Sequence, residues 1–163
     1  VIARGAASVV LAGVLLLGTT GCTFFAVQAT NIVYQPSDGT AAKVGDVKLI
    51  NVIALSADGK DVALVFSAVN TGSDPVTITL QSTDPSGMTT KNSVNIAPNS
   101  TTSVGGLGSS RIILRDVNVA LGGLLPVYAQ YGDNEGVQMM VPVLDGSTLA
   151  QYVDLLPAPR ATN

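Results

Sequence analysis

The residues able to do chemistry in this chain are few. Cys22 is the only cysteine, so no intrachain disulfide and no thiolate metal cage can form. The sequence contains no histidine, which removes the commonest metal ligand and the commonest general base. Serines are plentiful, but no imidazole stands ready to activate one, and no Ser-x-x-Lys spacing occurs. Most carboxylates fall in turn sequences, where Asp bonds its own local backbone. Asp133 and Glu135 share one hairpin tip and read as solvated. Gly105-Gly106-Leu107-Gly108 lacks the preceding strand and following helix that a phosphate-binding loop requires. This inventory predicts a protein that is not an enzyme.

Soft metal chemistry is the remaining alternative. Thioethers bind Cu(I), and the chain carries Met88, Met139 and Met140. Strand alternation places Met139 and Met140 on opposite faces, so the two cannot chelate one ion together. Met139 is expected in the core as a gap-filler and Met140 outside it. Met88, in a polar stretch, is left as the one weak ligand candidate for copper.

Cys22 has a clearer role. It follows an apolar run over residues 6–18 and the small residues Thr19, Thr20 and Gly21, with Arg4 near the start. A positive charge, an apolar segment of about 7–15 residues and a small-residue site make a secretion signal. A thiol directly after the small residues makes it a lipobox, because sulfur is the nucleophile that accepts the diacylglycerol. An uncleaved span would need about 20 apolar residues, and Gly18-Thr19-Thr20-Gly21 interrupts the run. The expectation is a signal peptide over 1–21, with the mature protein starting at a lipid-modified Cys22. The membrane is then a partner through that lipid, and the location is the outer face of the cytoplasmic membrane.

The elements behind the anchor read as strands. Only 12% of residues are charged, the net charge is −3, and Thr, Ser, Asn and Gly supply most of the polarity. A mildly acidic chain without a basic cluster argues against nucleic acid as a partner. Residues 22–42 read as a tether, with a short edge strand at 31–35 and a turn at Pro36-Ser37-Asp38-Gly39. Residues 46–55 are apolar on both faces and predict a central strand. Asp58-Gly59 marks a hairpin into 62–69, where Val62, Leu64, Phe66 and Ala68 share a face. Val76, Ile78 and Leu80 alternate with Thr77, Thr79 and Gln81, a half-buried strand. Residues 82–91 read as a polar loop, followed by short strands at 94–96 and 101–104. Residues 111–117 alternate again, and a hairpin joins 126–131 to 137–143 through 132–136. Seven or eight strands with turns every 8–12 residues predict an all-β, antiparallel sandwich of cupredoxin-like or immunoglobulin-like form over 43–145. The tail at 146–163 predicts two turns of helix with a Ser or Thr cap, ended by Pro157, whose face is Leu149, Tyr152, Val153 and Leu156. That face either packs on the sandwich or docks on a partner.

Two resemblances are carried by these residues. The runs 65–76 and 96–104 and the stretch 111–143 resemble the periplasmic copper chaperones of the PCuAC type, which implies a cupredoxin-like sandwich. Arg111 and Ile113 stand where that family has its His-x-Met copper pair, and only Met88 matches a ligand position. The leader with Cys22, the run Thr30-Asn31-Ile32-Val33-Tyr34-Gln35-Pro36, Gly45-Asp46-Val47 and the Asn70-Thr71-Gly72 turn resemble the LpqE-like lipoproteins of actinobacteria. This implies an envelope lipoprotein with the chaperone-like sandwich but without its copper ligands. It also implies a peripheral accessory subunit beside the cytochrome bcc–aa3 respiratory supercomplex. The alternative carried by the first resemblance is a copper chaperone for cytochrome oxidase assembly.

The functional expectation is therefore a lipid-anchored, non-catalytic binding or scaffolding domain. For its contact surface, the row Arg111, Ile113 and Arg115 places an apolar residue between two arginines on an outward strand face, a composition met at interfaces. The same row would serve to blunt an edge strand with charge. Tyr128 and Met140 are further contact candidates.

Overall fold

The computed structural model describes residues 38–158. The leader, Cys22 and the strand expected at 31–35 lie outside the described residues. Among the described residues nine strands follow one another: β1 Thr40–Val44, β2 Val47–Ser56, β3 Val62–Asn70, β4 Val76–Thr83, β5 Thr89–Ile96, β6 Ser100–Val104, β7 Ile112–Leu114, β8 Leu124–Gln130 and β9 Val137–Asp145. One helical turn, α1 at Ala150–Val153, comes last. The expected all-β sandwich with a short C-terminal helix is the architecture observed.

The strands form two antiparallel layers. In the first, β2 pairs with β3 on one side and β1 on the other, while β6 and β7 lie end to end along the far side of β3. In the second, the order is β5-β4-β8-β9. A short parallel pairing of Ala54, Leu55 and Ser56 with Val143, Leu144 and Asp145 joins the layers at one corner. The core fills the space between them. Val47, Leu49, Leu64 and Phe66 of the first layer are buried in one cluster with Ile78, Leu80, Val127 and Val141 of the second.

Strand β2 explains how one segment can be apolar on both faces. Asn51 has φ +52, a conformation that Asn tolerates better than most residues, and the β2–β3 register shifts between Ile50 and Ile53. This bulge moves the inward face by one residue. Val47 and Leu49 point into the core before it, and Val52 and Ala54 after it. Ile53 and Leu55 are thereby turned to the outer face. Asn51 Oδ1 also accepts the N–H of Gly39 at 3.1 Å, which fixes the bulge to the start of β1.

The outer apolar pair is covered by the tail. Leu155 is buried with Ile53 and Leu55, and Val65, Leu144, Tyr152 and Leu156 pack around them. The tail therefore packs on the sandwich, with half of the face expected: Tyr152 and Leu156 join the contact. Leu149 and Val153 are exposed, and Leu155 takes the buried place. The helix is also shorter than the expected two turns. Ser147 and Thr148 do not cap it: both hydroxyls donate to Asp145, at 2.5 Å to its carboxylate and 3.0 Å to its carbonyl. With those side chains occupied, α1 starts at an uncapped Leu149 and stays at one turn.

Three other expectations are corrected. Thr40–Val44 is strand β1 and reaches into the segment read as tether at 22–42, because Gly45-Asp46 is a two-residue turn, not the start of β2. Gly45 at φ +52 supplies the left-handed first position that such hairpins favour. The polar loop expected over 82–91 shrinks to 84–88, since Thr89–Ile96 pairs with β4 along its whole length. The strand expected over 111–117 ends at Leu114. After it, the N–H groups of Val117 and Val119 donate to the carbonyls of Lys60 and Gly59, so the chain leaves the sheet and crosses the β2–β3 loop.

Candidate functional site

The arginine row is engaged within the protein. Arg111 Nη2 donates to the carbonyl of Asp154 at 2.8 Å, which ties the segment entering β7 to the tail. Arg115 Nη1 meets Asp61 Oδ2 at 2.5 Å, and the other oxygen of Asp61 accepts the N–H of Asp116 at 3.1 Å. Ile113, paired with Ala63 on β3, is half-buried between them. Both guanidinium groups thus fasten segments of this chain to one another.

Tyr128 and Met140 are brought to one surface, the outer face of β8 and β9. Strand alternation sends Leu125, Val127, Ala129, Met139, Val141 and Val143 into the core. It turns Leu124, Pro126, Tyr128, Met140 and Pro142 outward, where Leu124 lies opposite Pro142, Pro126 opposite Met140 and Tyr128 opposite Gln138. Leu124 is 54% exposed, Met140 46% and Leu121, in the preceding turn, 39%. The result is an apolar strip at one end of the second sheet, the kind of surface that marks contact sites. Sequence reasoning missed Leu124, Pro126 and Pro142. The signal was present, since the hairpin at 132–136 sets the register that places them beside Met140.

Pro126 shapes what lies next to the strip. Proline has no N–H to offer a neighbouring strand. Pairing of β4 with β8 stops at Gln81 and Tyr128, two residues short of it. Where the two strands part, a groove of about 300 Å³ opens, lined by Gln81, Thr83, Thr89, Pro126, Tyr128 and Gln138. Tyr128 stands across its far side. The phenol end of the ring sits over Gly136, where a Cβ would collide with the ring carbon and hydroxyl oxygen.

The methionines are separated as alternation requires. Met139 is buried and Met140 exposed on opposite faces of β9. Met88 is exposed in the 84–88 loop, which Asp84 organises by accepting Ser86 Oγ at 2.6 Å, Ser86 N at 2.8 Å and Met88 N at 2.9 Å. The Ser86 hydroxyl, and then the Met88 N–H, hold the Asp84 carboxyl below its ordinary value. Asp133 and Glu135 are both exposed at their hairpin tip. A larger groove of about 630 Å³ runs beside the β2–β3 loop, past Asp58, Asp61 and Asp116 to Pro157. Its carboxylates serve local structure: Asp58 accepts Lys60 N at 2.9 Å, and Asp61 binds Arg115 as described.

No protein-family model matches the chain, and no curated protein sequence matches it.

Proposed function

We propose that this protein is a lipid-anchored, non-catalytic binding subunit of the cell envelope, which docks on a membrane-bound partner through the outer face of β8 and β9. The carrying observation is the unequal treatment of two apolar outer faces. Ile53 and Leu55 on the first layer are covered by the protein's own tail. The strip of Leu124, Pro126 and Met140 on the second layer is left open among the described residues. The lipobox at Cys22 supports a location beside membrane proteins, where tethering raises the effective concentration of the domain. The LpqE-like resemblance supports the cytochrome bcc–aa3 complex as the partner and an accessory role in it.

The anchor and the strip are tested separately. Cys22→Ala should leave the leader uncut or release the protein from membranes, read by fractionation and by mass spectrometry of the N-terminus. Unchanged processing and retention would remove the anchor. Leu124→Asp with Met140→Asp places two charges on the strip without touching the core. The variant should keep the wild-type melting temperature and lose its partner on cross-linking in native membranes. Undiminished cross-links would move the interface elsewhere.

A further inference from the structure

Across the outer face of the second sheet, hydrogen-bonding side chains are arranged in rows. On β4 and β5, Thr77 donates to Asn95 at 2.6 Å, Thr79 bonds Ser93 at 3.1 Å, and Thr83 bonds Thr89 at 3.1 Å. These rows satisfy themselves. The row between Thr79–Ser93 and Thr83–Thr89 does not. It runs Lys91, Gln81, Tyr128, Gln138 over β5, β4, β8 and β9, with each residue opposite the next. None of these four side chains makes a hydrogen bond within the described residues. Each glutamine amide carries two donors and an acceptor, and the phenol carries one of each. This unspent capacity converges on the groove that Pro126 opens between β4 and β8.

The lining specifies the ligand. It comprises two amides, two hydroxyls, a proline and an aromatic ring, with no ionisable side chain except the tyrosine itself. A ligand of fixed charge finds no counter-charge in the groove, because Lys91 stands outside its lining at the edge of the sheet. A purely apolar ligand would leave both glutamine amides without partners, since only the threonine hydroxyls bond each other, and that costs affinity. What fits is a molecule with many uncharged hydroxyls and one apolar face. A sugar ring is such a molecule: its C–H face lies on an aromatic ring while its hydroxyls meet amides and hydroxyls. Gly136, lacking a Cβ, leaves the room that the phenol end of the ring occupies beside the hairpin. At about 300 Å³ the groove is at the lower end of small-ligand sites, so it takes one or two rings. Because it lies on an open sheet face, it suits the interior of a saccharide chain.

We infer that the groove bounded by Gln81, Tyr128 and Gln138 is a binding site for an uncharged oligosaccharide. It is distinct from the apolar strip, which it meets at Pro126, and it does not depend on the docking role. The test is isothermal titration of the full chain, held in a sugar-free detergent, with maltohexaose, cellohexaose, mannohexaose and galactohexaose, and with hexagalacturonate as the charged comparison. Saturable binding of at least one neutral hexasaccharide is expected, weakened tenfold or more by Tyr128→Ala and by Gln81→Ala. Tyr128→Phe, which keeps the ring, should bind at least threefold more tightly than Tyr128→Ala. Leu124→Asp, which tests the docking role, should leave sugar binding unchanged. Absence of binding to all four neutral sugars would overturn the site. Binding insensitive to both alanine substitutions, or preference for hexagalacturonate, would do the same.

Discussion

Leu155→Ala tests whether the tail is part of the folded body. Leu155 is 8% exposed and touches Ile53 and Leu55, which are 3% and 0% exposed. Truncation to alanine removes three carbon groups, at about 0.8 kcal/mol each when fully buried, giving about 2.4 kcal/mol of lost transfer energy. The site lies under a surface segment that can settle inward, so the cavity contribution is small. The total belongs toward the low end of the range for buried leucine, about 2.5 kcal/mol. For a domain of this size that corresponds to a fall in Tm of about 10 °C. The assay is urea unfolding of the full chain followed by far-ultraviolet circular dichroism, with an unchanged m-value. Ile53→Ala should be comparably destabilising, and the double variant should cost less than the sum, because both truncations empty the same contact. A loss under about 0.5 kcal/mol for Leu155→Ala, or strict additivity with Ile53→Ala, would refute the packing of the tail on β2.

Further consequences concern smaller features. Arg111→Ala removes one exposed bond to the Asp154 carbonyl, so its cost should be under about 1 kcal/mol. It should still speed proteolysis after Leu149, which limited digestion reads directly. Asn51→Ala loses both the tolerated left-handed backbone and the bond from Gly39, and should cost about 1–2 kcal/mol by chemical denaturation. Asp84 and Asp145 are both held below the ordinary value of 3.8, first by the hydroxyls of Ser86 and Ser147. A depressed carboxylate stabilises the fold above its unfolded pKa and loses that contribution as pH falls through the folded one. The stabilisation from these two loops is therefore complete above about pH 4 and fades below it. Carboxyl-carbon NMR titration should show the Asp84 value rising toward 3.8 in Ser86→Ala. For copper, the donor geometry predicts no saturable Cu(I) site in a chelator competition. A stoichiometric site abolished by Met88→Ala would contradict that.

Much of the fold was legible because alternation is a strong signal where one face is buried. The inward set of Val62, Leu64, Phe66 and Ala68, the half-buried strand at Val76, Ile78 and Leu80, and the opposite placement of Met139 and Met140 all follow from the period of two. The Asp58-Gly59 hairpin followed from turn chemistry. What was hidden depended on long-range partners. Local composition does not reveal the bulge at Asn51, because its neighbours on both faces are apolar, and the outer ones become buried only when the tail arrives. The tail face was legible only in Tyr152 and Leu156, while Leu149 and Val153 stay exposed, for the reverse reason. Asp145 takes both candidate capping hydroxyls, α1 stays at one turn, and Leu155 then falls where helical spacing did not put it. At the candidate site, Tyr128 and Met140 were readable as outward residues. The groove beside them was not, because it depends on Pro126 ending the pairing of β4 with β8. The arginine row looked outward correctly, yet its bonds to Asp154 and Asp61 come from segments 43 and 54 residues away.

Docking of the anchored domain through the β8–β9 face can be read by co-purification from native membranes. The wild-type chain and the Leu124→Asp, Met140→Asp variant would each be extracted in mild detergent, and recovered proteins quantified by mass spectrometry. Stoichiometric cytochrome bcc–aa3 subunits are expected with the wild type, and their loss with the variant, at equal recovery of the two baits. Recovery of the wild-type protein alone, or of the same subunits with both baits, would contradict it.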